Sequence, residues 1–335
     1  MNRQWLFLLL GILMPLFWTA CKEETPPPPP PEKPEQPAKP AKQYAVPAFD
    51  RDSAYAFLAK QLEFGPRVPG TEAHAKTREW LVQKFRDYGF EVLEQKFDQK
   101  TFDGKTFEGV NIIARYAPAE SRRIMMAAHW DSRPFADSPL SSSPDQAVPG
   151  ADDGASGVAV LLEIARQISQ HPFDGLGVDL VLFDLEDYGE SGGSETSWGL
   201  GSQYYARNLP PIAPQYGILL DMVGAAHPRF TKEQVSMTYA PQVMNKVWRL
   251  AQSMGHKEMF VNVPTGPLVD DHYFVNTIAG IPMIDIINRP VGTKTGFVKH
   301  WHTPQDDLSA IDKNTLGAVG QVLTAVIYRE ASMVF

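Results

Sequence analysis

Residues Leu180 to Glu190 read Leu-Val-Leu-Phe-Asp-Leu-Glu-Asp-Tyr-Gly-Glu. The stretch opens as an apolar run, Val181-Leu182-Phe183, with the pattern of a strand buried on both faces of a parallel sheet. It then breaks into carboxylates: Asp184, Glu186, Asp187 and Glu190. A core strand that ends in acids delivers them to the C-terminal edge of its sheet, where open α/β sheets bind ligands. Adjacent Glu186 and Asp187 cannot both stand as free anions in a cleft without repelling one another. A metal cation bound to one of them removes the conflict and leaves the other free as a proton carrier. Taken alone, a Glu-Asp pair is also what a solvated acidic loop looks like, so the rest of the chain has to decide.

Outward from this strand, buried strands alternate with helical patterns. Residues 90–97 and 107–115 read as two strands around an Asp103-Gly104 turn. Residues 122–129 form a third, running into His129-Trp130-Asp131-Ser132. Further strands are expected at 178–183, 216–223 and 280–287, the last two carrying Asp221 and Asp285. Helices are expected from a Ser53 cap onward, over 71–88 ending at Gly89, and over 158–168, 241–254 and 313–330. The alternation predicts an α/β fold: three layers, α/β/α, around a central mixed, mostly parallel sheet.

The chain has 335 residues, 43% hydrophobic and 21% charged, the composition of an ordinary globular protein. A net charge of −8 argues against nucleic acid as a partner. The single cysteine, Cys21, rules out an intrachain disulfide. Asn2 and Arg3 precede an apolar run from Trp5 to Phe17, and Thr19-Ala20-Cys21 follows, which is the layout of a signal peptide. Small residues before a cysteine resemble a bacterial lipobox, with Cys21 lipidated, although Trp18 stands where that pattern has Leu. Six prolines, Pro26 to Pro31, and then Pro34, Pro37 and Pro40 describe a stiff polyproline tether. The expected organisation is a signal peptide over 1–20, a lipidated tether over 21–48 and one catalytic domain over 49–335. Such a chain is exported and held on a bacterial membrane through Cys21, facing the periplasm or the cell surface.

Five strand ends or following loops carry polar groups: His129 with Asp131, Asp153, Glu186 with Asp187, Asp221 and His302. Imidazole and carboxylate without thiolate suit a catalytic zinc ion with an open position. The run Gly150-Ala151-Asp152-Asp153-Gly154-Ala155-Ser156-Gly157 resembles the signature of the zinc aminopeptidase superfamily. Together with Asp184-Leu185-Glu186-Asp187, Leu220-Asp221-Met222-Val223-Gly224, Asp270-Asp271-His272 and Trp301-His302-Thr303, it is most similar to the glutaminyl-peptide cyclotransferases. The resemblance implies one zinc held by Asp153, Asp187 and His302, with Glu186 as general acid and base. It also implies a hydrogen-bonded acid network of Asp221 and Asp270, and a pocket walled by Trp198 and Trp301. The implied reaction closes an N-terminal glutamine of a peptide to pyroglutamate, with release of ammonia.

Two positions depart from the animal cyclases, which carry Glu at Asp187 and His at Asp285. The alternative is a two-zinc aminopeptidase, because His129 is retained and with Asp221 could hold a second metal. A catalytically idle binding module is the reading that the intact Glu186 and ligand set disfavour. Cyclisation is favoured by Asp270, expected to hydrogen-bond Asp221 and draw it from a second metal. It is favoured too by Trp301, expected to narrow and dry the cavity.

Overall fold

The computed structural model describes residues 42–335. The signal peptide, Cys21 and the proline run therefore lie outside the described residues. The chain forms α1 (Arg51–Glu63), α2 (Glu72–Asp87), β1 (Glu91–Lys100), β2 (Thr106–Tyr116), β3 (Arg123–His129) and α3 (Ala155–Gln170). Next come β4 (Gly177–Phe183), α4 (Leu200–Arg207), β5 (Gly217–Asp221), β6 (Phe230–Glu233), α5 (Gln234–Tyr239) and α6 (Pro241–Ser253). Last are β7 (Phe260–Thr265), α7 (Asp271–Phe274), β8 (Met283–Ile287) and α8 (Lys313–Ala331).

Six strands make one sheet in the order β1-β2-β4-β3-β5-β8. β4, β3, β5 and β8 are mutually parallel, and β2 runs antiparallel to both its neighbours. The sheet is thus mixed and mostly parallel, as the alternation predicts. β3 and β4 are buried along their whole length, so successive residues feed opposite layers. Met126, Ala128, Leu180 and Leu182 join the larger core beneath α3, α6 and α8. Met125, Ala127, Val181 and Phe183 join a second core on the other face with Tyr205 of α4. Each large aliphatic side chain so buried contributes about 1.5–3 kcal/mol, which is why these two strands hold the registers of the rest. In that register His129 pairs with Phe183, Leu219 with Asp285 and Asp221 with Ile287. The polar ends of the parallel strands therefore emerge along one sheet edge.

Several local expectations are corrected. The cap of α1 is Asp50 and not Ser53: the Asp50 carboxylate accepts from the backbone N–H of Asp52 and Ser53, at 3.0 and 3.1 Å. Packing also starts before Phe49. Tyr44 N–H donates to Ser332 Oγ (2.9 Å) and the Gln321 amide grips Phe49 N–H and the Pro47 carbonyl (2.8 and 3.1 Å). Helix α3 begins at Ala155, because Gly154 at φ 113° turns the chain directly into it. The pair β6 and β7 forms a separate two-stranded parallel sheet, and α4, α5 and α7 had no clear periodicity to announce them. Among the described residues, no helix is long and apolar enough to cross a membrane.

Candidate functional site

Strand β3 delivers the first polar groups. Asp131, two residues past its end, accepts from the backbone N–H of Glu186 and of Asp187, both at 3.1 Å. The acidic loop after β4 is thereby pinned to the end of β3. Asp184 takes no part in the site: it binds the His74 imidazole (2.9 Å) and the Val110 N–H (2.7 Å) and so ties α2 and β2 to the sheet. Leu185 then adopts φ 55°, a left-handed conformation costly for a residue with a Cβ, and Glu186 and Asp187 follow into the cleft. Met222, next to Asp221, and His302 also have positive φ, 48° and 53°. Such strain persists only where surrounding contacts over-determine the backbone, and it concentrates at functional sites.

The glycine-rich run is a cradle. A Cβ at Gly154 would lie 2.5 Å from the His129 carbonyl oxygen, so only glycine lets the turn close against the end of β3. Within it Asp152 is structural: Oδ1 accepts from Gly224 N–H (2.7 Å) and Ala225 N–H (3.1 Å), while Oδ2 binds His300 Nε2 at 2.9 Å. The backbone N–H groups of Asp152 and Asp153 donate to the buried Asp306 carboxylate. Burial, and then Asp152 and Asp153, push the Asp306 pKa up to about 8. The Asp153 side chain alone turns inward.

There Asp153, Asp187 and His302 bring one donor atom each within 4.8 Å of one another. His302 Nε2 lies 3.1 Å from Asp187 Oδ1 and 3.8 Å from Asp153 Oδ2. All three are buried, and among the described residues neither Asp187 oxygen accepts a hydrogen bond. A buried carboxylate that accepts no hydrogen bond, set beside a second carboxylate and an imidazole, suits a metal cation; the donor types and count fit zinc with a position left open. His129, Asp153 and Asp221 form a second such group, with His129 Nε2 3.0 Å from Asp153 Oδ1 and 3.4 Å from Asp221 Oδ1.

The expected hydrogen bond between Asp270 and Asp221 is corrected. Among the described residues no hydrogen bond joins Asp270 to Asp221: Asp270 gathers with His272 and Asp285 in a further donor group, one atom of each within 4.8 Å, while Asp221 Oδ1 lies 3.4 Å from His129 Nε2. The register of β5 and β8 sets Asp285 one strand over, beside Asp270 at the start of α7. Behind them His272 Nε2 meets Glu233 at 3.0 Å and Nδ1 lies 4.0 Å from Asp285. Burial, then the negative charge of Asp270, raises the Asp285 pKa well above the carboxylate range.

Glu186 lies in the cavity but outside all three donor groups, the third being Asp270, His272 and Asp285. Burial, and then the negative charges of Asp270, Asp187 and Asp271, hold its pKa well above the ordinary 4.5 against the pull of His129. Burial by itself would lower the His302 pKa. The carboxylates of Asp187 and Asp137 outweigh it and push the value up to about 9. The cavity has a volume of about 250 Å³, and Trp198, Trp301 and Phe297 line it together with Met222, Leu268, Val269 and Ile287. Trp301 stacks on the His302 ring with centroids 3.8 Å apart, and Trp198 lies parallel to the same ring at 6.1 Å. Sequence reasoning passed over Asp137, whose Oδ1 lies 3.2 Å from His302 Nδ1, and its partner Arg133. Both sit in the long loop after β3, where no periodicity marks a residue as buried.

Comparisons with known proteins agree with this geometry. The family model "Peptidase family M28" matches residues 111–327. A glutaminyl-peptide cyclotransferase of Drosophila melanogaster is 28% identical over 286 residues, spanning 75% of this chain and 73% of that protein. Among solved structures, the glutaminyl cyclase of Porphyromonas gingivalis is 44% identical, with a TM-score of 0.81 over 84% of this chain and 99% of that one. A Zn-dependent exopeptidase from Parabacteroides distasonis is also 44% identical, with a TM-score of 0.82 over 85% and 99%. Overall likeness thus runs to proteins carrying either kind of name, and the choice between cyclase and peptidase falls to the site. On the matched span, the sheet and the inward donor set, the chain belongs to peptidase family M28.

Proposed function

We infer that this chain is a zinc-dependent glutaminyl cyclase, converting the N-terminal glutamine of peptides and proteins to pyroglutamate with release of ammonia. The observation that carries this is Glu186: a buried carboxyl with a raised pKa, in a small cavity walled by tryptophan, beside a donor set it does not join. The likeness to the Porphyromonas gingivalis glutaminyl cyclase, over 84% of this chain and 99% of that one, supports it.

Asp153, Asp187 and His302 would hold one zinc ion. When bound it supplies Lewis-acid polarisation of the substrate's side-chain amide carbonyl. Glu186 takes a proton from the attacking α-amine and returns it to the departing nitrogen. A bond forms between the α-nitrogen and the side-chain carbonyl carbon, the bond from that carbon to the amide nitrogen breaks, and ammonia leaves. No water molecule is consumed, which suits the walls made by Trp198 and Trp301. Those walls also keep amine and amide in contact, the proximity part of the rate.

A second reading, the two-zinc aminopeptidase, is favoured by the assembled His129, Asp153 and Asp221 group. Metal count and product mass separate the two. The expected result is one equivalent of zinc and a Gln-initiated peptide lighter by one NH₃ with every residue retained. Two tightly bound zinc ions, with Ala- or Leu-initiated peptides trimmed by a residue and no pyroglutamyl product, would establish the peptidase instead.

Export and anchoring through Cys21 belong to the same proposal, supported by the basic start, the apolar run and the cysteine ahead of the prolines. Substitution Cys21→Ala is expected to release or misprocess the protein, with activity kept. Unchanged membrane retention, measured by fractionation, would remove the anchor from the proposal.

A further inference from the structure

One buried cation ties the site together. Arg133 is 1% exposed, four residues past the end of β3. Its Nε and Nη2 form a fork onto Asp137, at 2.8 Å to Oδ1 and 2.6 Å to Oδ2. Its Nη1 donates to the carbonyls of Asp187 (2.8 Å) and Gly189 (3.1 Å) and lies 3.6 Å from Asp187 Oδ1. Its Nη2 also reaches Ser191 Oγ at 3.1 Å, and that hydroxyl donates to Asp137 Oδ2 at 2.6 Å. The guanidinium carbon, Cζ, sits over the Trp198 ring, 4.6 Å from its centroid. On the other side of the pair, Asp137 Oδ1 faces His302 Nδ1 at 3.2 Å, and the next residue, Ser138, donates its N–H to the His302 carbonyl at 3.1 Å. The backbone of His302 is thus held by this loop, and its ring faces the Asp137 carboxylate at ion-pair distance. That accounts for its sustained φ of 53°.

The geometry points to the Arg133–Asp137 pair as the positioning device of this site. Asp137 keeps the proton of the His302 ring on Nδ1, so that Nε2 presents its lone pair to the metal position. Arg133 fixes that carboxylate and, through the backbone of Asp187 and Gly189, places the second ligand and the loop that carries the pocket wall. Metal ligation and the face of Trp198 are then set by one ion pair. Outer carboxylates that orient a ligating histidine typically change metal affinity 10–100-fold. A lysine could supply the charge of Arg133 but neither the fork nor the flat face.

The metal half needs only that Asp187 and His302 bind zinc; the substrate half rests on the cyclase reading. The test is zinc titration of the metal-stripped full chain against a competing chelator, for Asp137→Asn, Arg133→Lys and the double variant. Each single substitution is expected to weaken zinc about 10–100-fold, and the double variant no more than the weaker-binding single, because the two act as a unit. Arg133→Lys should also shift tryptophan emission and raise KM for a Gln-initiated peptide more than it lowers kcat. Zinc affinity unchanged in Asp137→Asn, or single effects that simply add, would overturn the proposal. Should a variant fail to fold, the His302 ring nitrogens of the wild-type zinc form answer the same question by NMR: a proton on Nδ1 supports the device and a bare Nδ1 overturns it. A wild type that binds zinc as described but releases no ammonia would sink the cyclase reading alone.

Discussion

Glu186→Gln lowers turnover about 10²-fold or more, the usual scale of a lost general acid and base, while the protein keeps its zinc. The amide has the shape of the carboxyl but cannot carry a proton from the α-amine to the leaving nitrogen. Zinc stays because Glu186 is in none of the donor groups. The fold stays because the position already favours a neutral side chain: its pKa is raised by burial first and by Asp270, Asp187 and Asp271 after it. In the wild type, kcat/KM should fall on the acid side as Glu186 takes up its proton, at a pH above the ordinary carboxyl value. That limb should be missing from the residual activity of the variant. Steady-state rates across pH, with metal analysis of the same samples, check all three statements. Loss of zinc from Glu186→Gln would mean that Glu186 and Asp187 have exchanged roles.

Asp187→Ala removes both metal and measurable cyclisation. It takes one carboxylate from a donor set of three and leaves Asp153 and His302 to hold a divalent cation with too little charge. Metal analysis after dialysis, with ammonia release on a Gln-initiated peptide, checks this. Stoichiometric zinc in the variant would exclude Asp187 as a ligand. A related behaviour follows for the stripped wild type. Asp187, Asp221 and Glu186 hold their protons more tightly folded than unfolded, chiefly through burial; Asp306 does so up to about 8 and His302 up to about 9. Groups with raised folded pKa values contribute stability below their unfolded values and lose it as pH rises through the folded ones. The metal-free chain should therefore melt at steadily lower temperature from about pH 4 to about pH 9. Zinc displaces protons from the donor set and should flatten that decline. A melting temperature of the stripped protein that rises over this range would contradict the assignment of buried, proton-holding carboxyls.

The sheet was readable because strands buried on both faces write continuous apolar runs. Val181, Leu182 and Phe183 can sit nowhere else. The change from apolar to acidic at Asp184 marks where the strand leaves the sheet. The run from Gly150 to Gly157 and the residues Glu186, Asp187 and His302 were legible for a similar reason: local backbone demands and residue chemistry confine what can stand there. Boundaries slipped where a neighbouring residue competes for one role, as Asp50 displaces Ser53 at the cap of α1.

What only the tertiary structure decided is who pairs with whom among the acids. Asp221, Asp270 and Asp285 look equivalent along the chain. In the folded chain Asp285 on β8 gathers with Asp270 and His272, while Asp221 at the end of β5 faces His129. Arg133 and Asp137 were invisible for the same reason. Their loop has no period, and their meaning comes from groups such as Asp187 and His302, 54 and 165 positions further along the chain. A sequence records which side chains are apolar, acidic or confined to a turn, because those are properties of one residue and its neighbours. Which buried charges share a proton, a metal or a guanidinium depends on distances of 3 to 4 Å that only the packed sheet sets.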